Sequence, residues 1–322
     1  MNRAATIALA ALAPVSWGTT YAVTTEFLPP DRPLFTGLMR ALPAGLVLLA
    51  VARVLPRGVW WGKAAALGAL NIGAFFPLLF LAAYRLPGGL AAVFGSVGPL
   101  FAVGLAALVL GERITVRRVL TAVAAAFGVS LVVLKAAGAL DLVGVVAALA
   151  GTASMSAGTV LTKRWGRPDG VGPLAMTGWQ LTAGGLLIAP LALLVEGPPP
   201  VLDGRNVAGY VYLALINTAV GYWLWFRGIG ALSATQVTFL GPLSPVTAAV
   251  IGWAALGEVL TPVQLLGMVV AFGATVAGQL TPVSLRSSSG SPSRASFSQS
   301  FSSTEQNIQK FSMDLSKESV RR

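Results

Sequence analysis

Gly98-Pro99-Leu-Phe-Ala-Val-Gly-Leu-Ala-Ala-Leu-Val-Leu-Gly111-Glu112 returns 146 positions later as Ser244-Pro245-Val-Thr-Ala-Ala-Val-Ile-Gly-Trp-Ala-Ala-Leu-Gly257-Glu258. The prolines match, the Gly-Glu pairs match and no gap intervenes. The same shift sets Asn71 against Asn217, Thr115 against Thr261 and Leu134 against Leu280. A shift of 140 sets Gly18 against Gly158 and Arg40 against Gln180. The chain therefore reads as two related halves, residues 1–138 and 139–282. Repetition on this scale in an apolar chain points to a membrane carrier.

The composition narrows the class. Hydrophobic residues make up 55% of the chain and charged residues 10%, against roughly 25% charge in soluble domains. Apolar runs long enough to cross a ~30 Å hydrocarbon core recur up to Leu280. Cysteine and histidine are both absent. No disulfide framework, thiol chemistry, metal cluster or imidazole base is expected, and no cofactor. No phosphate-binding Gly-Lys-Ser loop is present, so no ATPase is expected within this chain. The net charge of +11 sits in short loops beside apolar runs and in the tail, which argues for a bilayer as partner and against nucleic acid.

Ten helical spans are predicted, an all-α integral membrane fold. Their limits are Ala5–Phe27, Leu34–Val54, Ala64–Tyr84, Gly88–Leu110, Val116–Leu134, Leu142–Leu161, Gly172–Val195, Asn206–Phe226, Leu232–Leu256 and Pro262–Leu280. The first resembles a signal peptide at Met1-Asn2-Arg3, but its apolar stretch runs past Pro14 to Phe27, and the repeat needs it as a span. Basic residues orient the chain. With the N-terminus in the cytoplasm, the inner loops hold Arg3, Arg53, Arg57, Lys63, Arg113, Arg117, Arg118, Lys163, Arg164, Arg167 and Arg227. The outer loops hold only Arg32, Arg85, Lys135 and Arg205. Both termini are thus expected in the cytoplasm of a cell-membrane protein. Five spans per half is an odd number, so the halves are expected to be inverted. The loop after Glu112 carries Arg113, Arg117 and Arg118, whereas its counterpart after Glu258 has no arginine. Residues 283–322 are rich in serine and are expected to form a disordered cytoplasmic tail. Ile308, Phe311 and Leu315 in it keep helical spacing, which would suit a short surface helix.

The ten spans, the two inverted halves and the repeated Pro and Gly-Glu positions resemble the drug/metabolite transporter superfamily, EamA type. The likeness runs from Ala4 to Leu280. Trp17-Gly18-Thr19-Thr20-Tyr21, Arg40-Ala-Leu-Pro-Ala-Gly45, Leu70-Asn71-Ile72-Gly73 and Tyr84-Arg85-Leu86-Pro87-Gly88-Gly89 look like the blue-pigment (indigoidine) exporter branch. The resemblance implies a substrate cavity near the bilayer midplane, lined by spans one, three, four, six, eight and nine.

Several residues could line such a cavity. Asn71 and Asn217 lie near mid-membrane, where an amide must face protein, water or substrate. Each is either a substrate contact or a brace between helices. Trp17, Thr20 and Thr24 share a helical face, and Tyr222 and Trp225 answer from the eighth span. An aromatic wall with a few hydroxyls suits a flat, partly polar organic molecule. Arg40 sits roughly 9 Å from the outer end of its span. It either recognises an anionic or carbonyl-bearing substrate, or forms an ion pair with Glu26, or snorkels outward. Pro99 and Pro245 interrupt matching spans and are either hinges or fixed kinks, with Gly241-Pro242 making the ninth span the more bent. Glu112 and Glu258 lie at helix ends on opposite sides, where a carboxylate favours the following helix N-terminus. Both are read as structural.

The chain is therefore expected to move a small organic metabolite or drug-like compound outward, by secondary-active or facilitated transport. An importer or exchanger is the alternative. An integral membrane lipid enzyme would need an interfacial nucleophile or carboxylate cluster that the sequence lacks. Coupling reads as proton antiport through Glu26, exchange against a counter-substrate, or a facilitated path. Monomer and homodimer both fit.

Overall fold

The computed structural model describes residues 2–86, 94–133, 141–256 and 260–280. Glu258, Leu134, Lys135, Pro87-Gly88-Gly89 and the tail readings lie outside these residues. Helices account for the regular structure among the described residues: α1 Arg3–Gly18, α2 Thr20–Phe27, α3 Pro33–Ala52, α4 Trp60–Gly68, α5 Phe75–Arg85, α6 Gly98–Leu110, α7 Val116–Val133, α8 Leu142–Trp165, α9 Pro173–Glu196, α10 Gly204–Tyr212, α11 Gly221–Ala231, α12 Ala234–Thr238, α13 Leu243–Leu256 and α14 Pro262–Leu280. An all-helical chain is what lipid demands, because every backbone N–H and C=O must be satisfied within its own segment. Among the described residues, eight stretches are long and apolar enough to cross a membrane. Two predicted spans fall short of that measure. The described part of the fourth is α6, with 13 residues, and the described part of the fifth is α7, with 18 residues ending at Val133.

Several predicted spans are not plain helices. The first divides at Thr19, whose hydroxyl turns back to the Ser16 carbonyl at 2.7 Å. The third and eighth each contain a π-helical stretch, Ala69–Ala74 and Leu213–Val220, and these hold Asn71 and Asn217. The ninth divides into α12 and α13 around Gly241-Pro242, in line with the expected bend. Pro99 and Pro245 do not interrupt helices. Each stands in the first turn of one, α6 and α13, where a helix leaves the backbone N–H without an internal partner. The breaks lie in the turns ahead of them.

Helix ends are closed by short polar side chains that the sequence places there. Asn2 accepts from the Ala5 amide at 2.8 Å and Asp141 from Gly144 at 2.9 Å. Asp203 with Asn206, and Ser233 with Gln236, form reciprocal capping boxes.

Long-range packing pairs α3 with α9 and α7 with α14, sets α1 against α11 and α13, and sets α8 against α5 and α6. The α3–α9 crossing needs glycine. A Cβ on Gly45 would lie 2.5 Å from the Thr182 amide nitrogen, and one on Gly185 would lie 2.8 Å from Leu42 Cβ. The shift of 140 carries 45 to 185 and 42 to 182, so one close contact is used twice.

Polar contacts between helix ends gather on two faces. On the N-terminal face, Arg3 donates to the Gln279 carbonyl at 2.6 Å, Gln279 donates to the Gln236 carbonyl at 2.8 Å, and Lys163 donates to the Ile229 carbonyl at 3.1 Å. Arg118 pairs with Glu112 at 3.1 Å on that face too. On the opposite face, Glu26 pairs with Arg205 and Arg85 with Asp141, both at 3.3 Å. There Glu196 also accepts from the Leu34 and Phe35 amides at 2.5 and 2.9 Å.

Candidate functional site

A cavity of about 770 Å³ opens between the helices. Its walls come from the six spans the resemblance implies, and also from α3 through Arg40. It reaches Leu28, Pro29, Pro30 and Leu86, hence the face opposite the N-terminus.

Trp17, Thr20, Thr24, Arg40 and Tyr222 all line it, as do Pro99 and Pro245. The aromatic wall is continuous. The Trp17 ring centroid lies 5.0 Å from Tyr222 and 5.2 Å from Trp225, and Phe76 meets Tyr222 edge-on at 6.0 Å. The Trp17 indole N–H donates to the Asn217 carbonyl at 2.8 Å, inside the eighth-span π stretch. The third span offers a matching bond: the Ser154 hydroxyl donates to the Leu70 carbonyl at 2.9 Å. A π turn breaks the regular i to i−4 ladder and so frees carbonyls for outside donors.

Arg40 is 3% exposed. Its Nε donates to the Thr218 hydroxyl at 3.4 Å and its guanidinium lies 4.9 Å above the Phe76 ring. Stacking on an aromatic face stabilises a desolvated cation by up to about 2 kcal/mol. Glu26 pairs with Arg205, on the surface, and the alternative Arg40–Glu26 pair is not among the ion pairs of the described residues. Glu112, read as structural, contacts the following helix through a side chain. The amide of Arg118 is capped by Thr115 at 3.4 Å, while the Glu112 carboxylate is buried against the Arg118 guanidinium and the Thr235 hydroxyl.

Asn71 and Asn217 are fully buried and are not among the cavity-lining residues. The Asn71 amide donates to Gln180 Oε1 at 2.8 Å and Thr162 Oγ1 at 3.5 Å. The Asn217 amide donates to Thr20 Oγ1 at 3.0 Å and Thr19 Oγ1 at 3.2 Å. Asn217 thereby orients Thr20, which does face the cavity.

The resemblance implies span six, α8, as a wall, but Thr152, Ser156 and Thr159, which it contributes to the lining, were not singled out from the sequence. A signal was available: Ser16-Trp17-Gly18-Thr19 returns at a shift of 140 as Ser156-Ala157-Gly158-Thr159. Three buried polar atoms of the lining make no hydrogen bond among the described residues: Thr24 Oγ1, Thr159 Oγ1 and the Trp225 indole nitrogen. Native proteins rarely leave such groups unsatisfied without a functional reason.

A Cβ on Gly158 would collide with the Asn71 carboxamide. Gly158→Ala is expected to destabilise the protein by about 1–3 kcal/mol, the usual cost of overpacking. The shorter Asn71→Ser side chain should recover part of that loss, as checked by thermal unfolding of the single and double variants.

The EamA-like transporter family matches residues 4–134 and 142–277, one segment in each half. The chain belongs to this family. It is a multi-pass membrane protein that transports small molecules. Protein PecM of Dickeya dadantii is 45% identical over 264 residues, covering 82% of this chain and 89% of PecM. A relative named "Probable amino-acid metabolite efflux pump" in Salmonella typhimurium is 27% identical over 273 residues, covering 81% and 90% of the two chains. A crystal structure with 19% identity shares the fold with a TM-score of 0.74, over 87% of this chain and 98% of the other.

Proposed function

We propose that this EamA-family transporter exports small, flat, partly polar metabolites of amino-acid origin, by alternating access between two inverted halves, residues 1–138 and 139–282. The cavity carries this reading. Its 770 Å³ falls within the range of small-molecule sites. An aromatic wall offers stacking, and Trp225, Thr24 and Thr159 of the lining carry buried polar atoms that have no hydrogen-bond partner among the described residues. Arg40 supplies a positive charge for a carboxylate. The name of the Salmonella relative supports the direction and the substrate class.

The contacts of α1 with α11 and α13 mirror those of α8 with α5 and α6, which supports the exchange of halves. The twofold use of Gly45 and Gly185 agrees with it. Both termini lie in the cytoplasm in this proposal, which makes the main cavity outward-facing. Among the described residues the cavity lining includes no carboxylate, so exchange or facilitated flux fits better than proton coupling through Glu26.

Purified protein in liposomes, offered a panel of aromatic and amino-acid-derived compounds, should move at least one faster than empty liposomes. Equal rates for every compound would sink the transporter assignment for this substrate class. Orientation is tested separately with single cysteines, since the chain has none. A membrane-impermeant thiol reagent should label Asp203→Cys from outside the cell and leave Arg117→Cys unlabelled. The reverse pattern would overturn the topology.

A further inference from the structure

A second, smaller cavity of about 430 Å³ opens between the 166–172 loop and the end of α11. It lies on the N-terminal face, beside Lys163 and Ile229. The repeat relates it to the main cavity. Leu28, Pro29, Pro30 and Arg40 line the large cavity. Shifted by 140 they become Pro168, Asp169, Gly170 and Gln180, and all four line the small one. Phe80 shifted by 146 becomes Phe226, which lines it too.

The two cavities come close to meeting. On α8 the main cavity ends at Thr159 and the second begins at Thr162, one helical turn on; on α11 the last residue of the main cavity, Trp225, is followed directly by Phe226 of the second. Asn71 fills this layer. It is fully buried, its amide nitrogen is bonded to Gln180 and Thr162 of the second cavity, and its side chain presses on Gly158, next to Thr159 of the first. Its Oδ1 makes no hydrogen bond among the described residues. The Tyr222 and Phe226 rings, 5.8 Å apart, complete the layer.

The geometry points to the second cavity as the inner mouth of the transport route, closed by a septum that is at most one turn thick along α8, in which Asn71 and Phe226 are the movable parts. This rests on the transporter reading of the main cavity. The π stretch around Asn71 suits the role, because a register fault in a helix is a place where side chains can be re-aimed. Gln180 holds the septum shut by accepting the Asn71 amide, where its repeat counterpart Arg40 faces open cavity.

The test uses single cysteines and a charged, membrane-impermeant methanethiosulfonate reagent on oriented vesicles. Met176→Cys, in the second cavity, should react from the N-terminal face. Thr159→Cys should react fast from the opposite face and much more slowly from the N-terminal face. Adding Asn71→Ala or Phe226→Ala should open the septum and speed labelling of Thr159→Cys from the N-terminal face by about tenfold or more, since each ~1.4 kcal/mol of lost barrier is a factor of ten. Thr275→Ala, a buried substitution on α14 away from both cavities, should leave that rate unchanged.

If Met176→Cys stays unreactive from the N-terminal face, the second cavity is not a mouth. If neither septum variant changes the labelling of Thr159→Cys, the cavities are not in series. Two independent septum variants, each with a cooperative unfolding profile, guard against misfolding as the cause of a positive result. Failure of the unlabelled parent to move any compound would instead strike the transporter reading itself.

Discussion

Arg40→Gln is expected to weaken binding of a carboxylate-bearing substrate by about ten- to hundredfold, because hydrogen bonds to charged groups contribute ~1.5–3 kcal/mol. Glutamine is the residue that the second half carries at the matching position, Gln180, so the fold tolerates it there. Arg40 is 3% exposed yet lines the cavity, and its guanidinium is pre-positioned by Phe76 and Thr218. A substrate carboxylate reaching it would meet a cation with little competing water. Trp17 and Trp225 form the adjoining wall, so tryptophan fluorescence should report binding directly. The methyl ester of the same compound should bind parent and variant alike. A fall in melting temperature with unchanged affinity for both acid and ester would make Arg40 a brace and remove it from recognition.

Arg118→Ala is expected to be the most destabilising single change on the N-terminal face, by about 3–5 kcal/mol, because it strands a buried carboxylate. Glu112 and Arg118 are 5% and 3% exposed and lie 3.1 Å apart. Glu112 also receives the Thr235 hydroxyl at 3.2 Å. The group therefore ties the end of α6 to the starts of α7 and α12. Removing both charges together should be far milder, since no uncompensated ion remains. Thermal unfolding in detergent of Arg118→Ala and of the Glu112→Gln, Arg118→Met pair checks this. Equal stability of parent and Arg118→Ala would show that Glu112 reaches water or another cation.

Much of the architecture was legible in the order of residues. Hydrophobic length marks spans, since lipid forces each segment to satisfy its own backbone. The shifts of 140 and 146 expose two related halves. The Trp17–Thr20–Thr24 face was readable because helical periodicity puts those residues on one side.

Which polar face looks into the cavity was another matter. Asn71 and Asn217 were singled out by depth, yet depth does not set direction. The π stretches rotate both carboxamides toward neighbouring helices, where Gln180 and Thr20 hold them. Glu112 stands at a helix end in one dimension, but folding brings Arg118 and Thr235 to it and makes it a buried pair. Pro99 and Pro245 could be located from sequence, whereas the turns before them, which carry the breaks, depend on how α12 and α13 pack.

By itself, then, the sequence determined a helical, membrane-spanning chain of two related halves with an aromatic, hydroxyl-bearing stripe on its first span. Those properties are written in composition, periodicity and repetition, each of which survives without contacts. Only the tertiary structure decided that Arg40 joins the cavity, that Thr152, Ser156 and Thr159 are among the α8 residues lining it, and that Asn71 stands between two cavities. Those outcomes turn on helix rotation and on register faults of a single residue, which contacts between distant segments select and which no local pattern encodes.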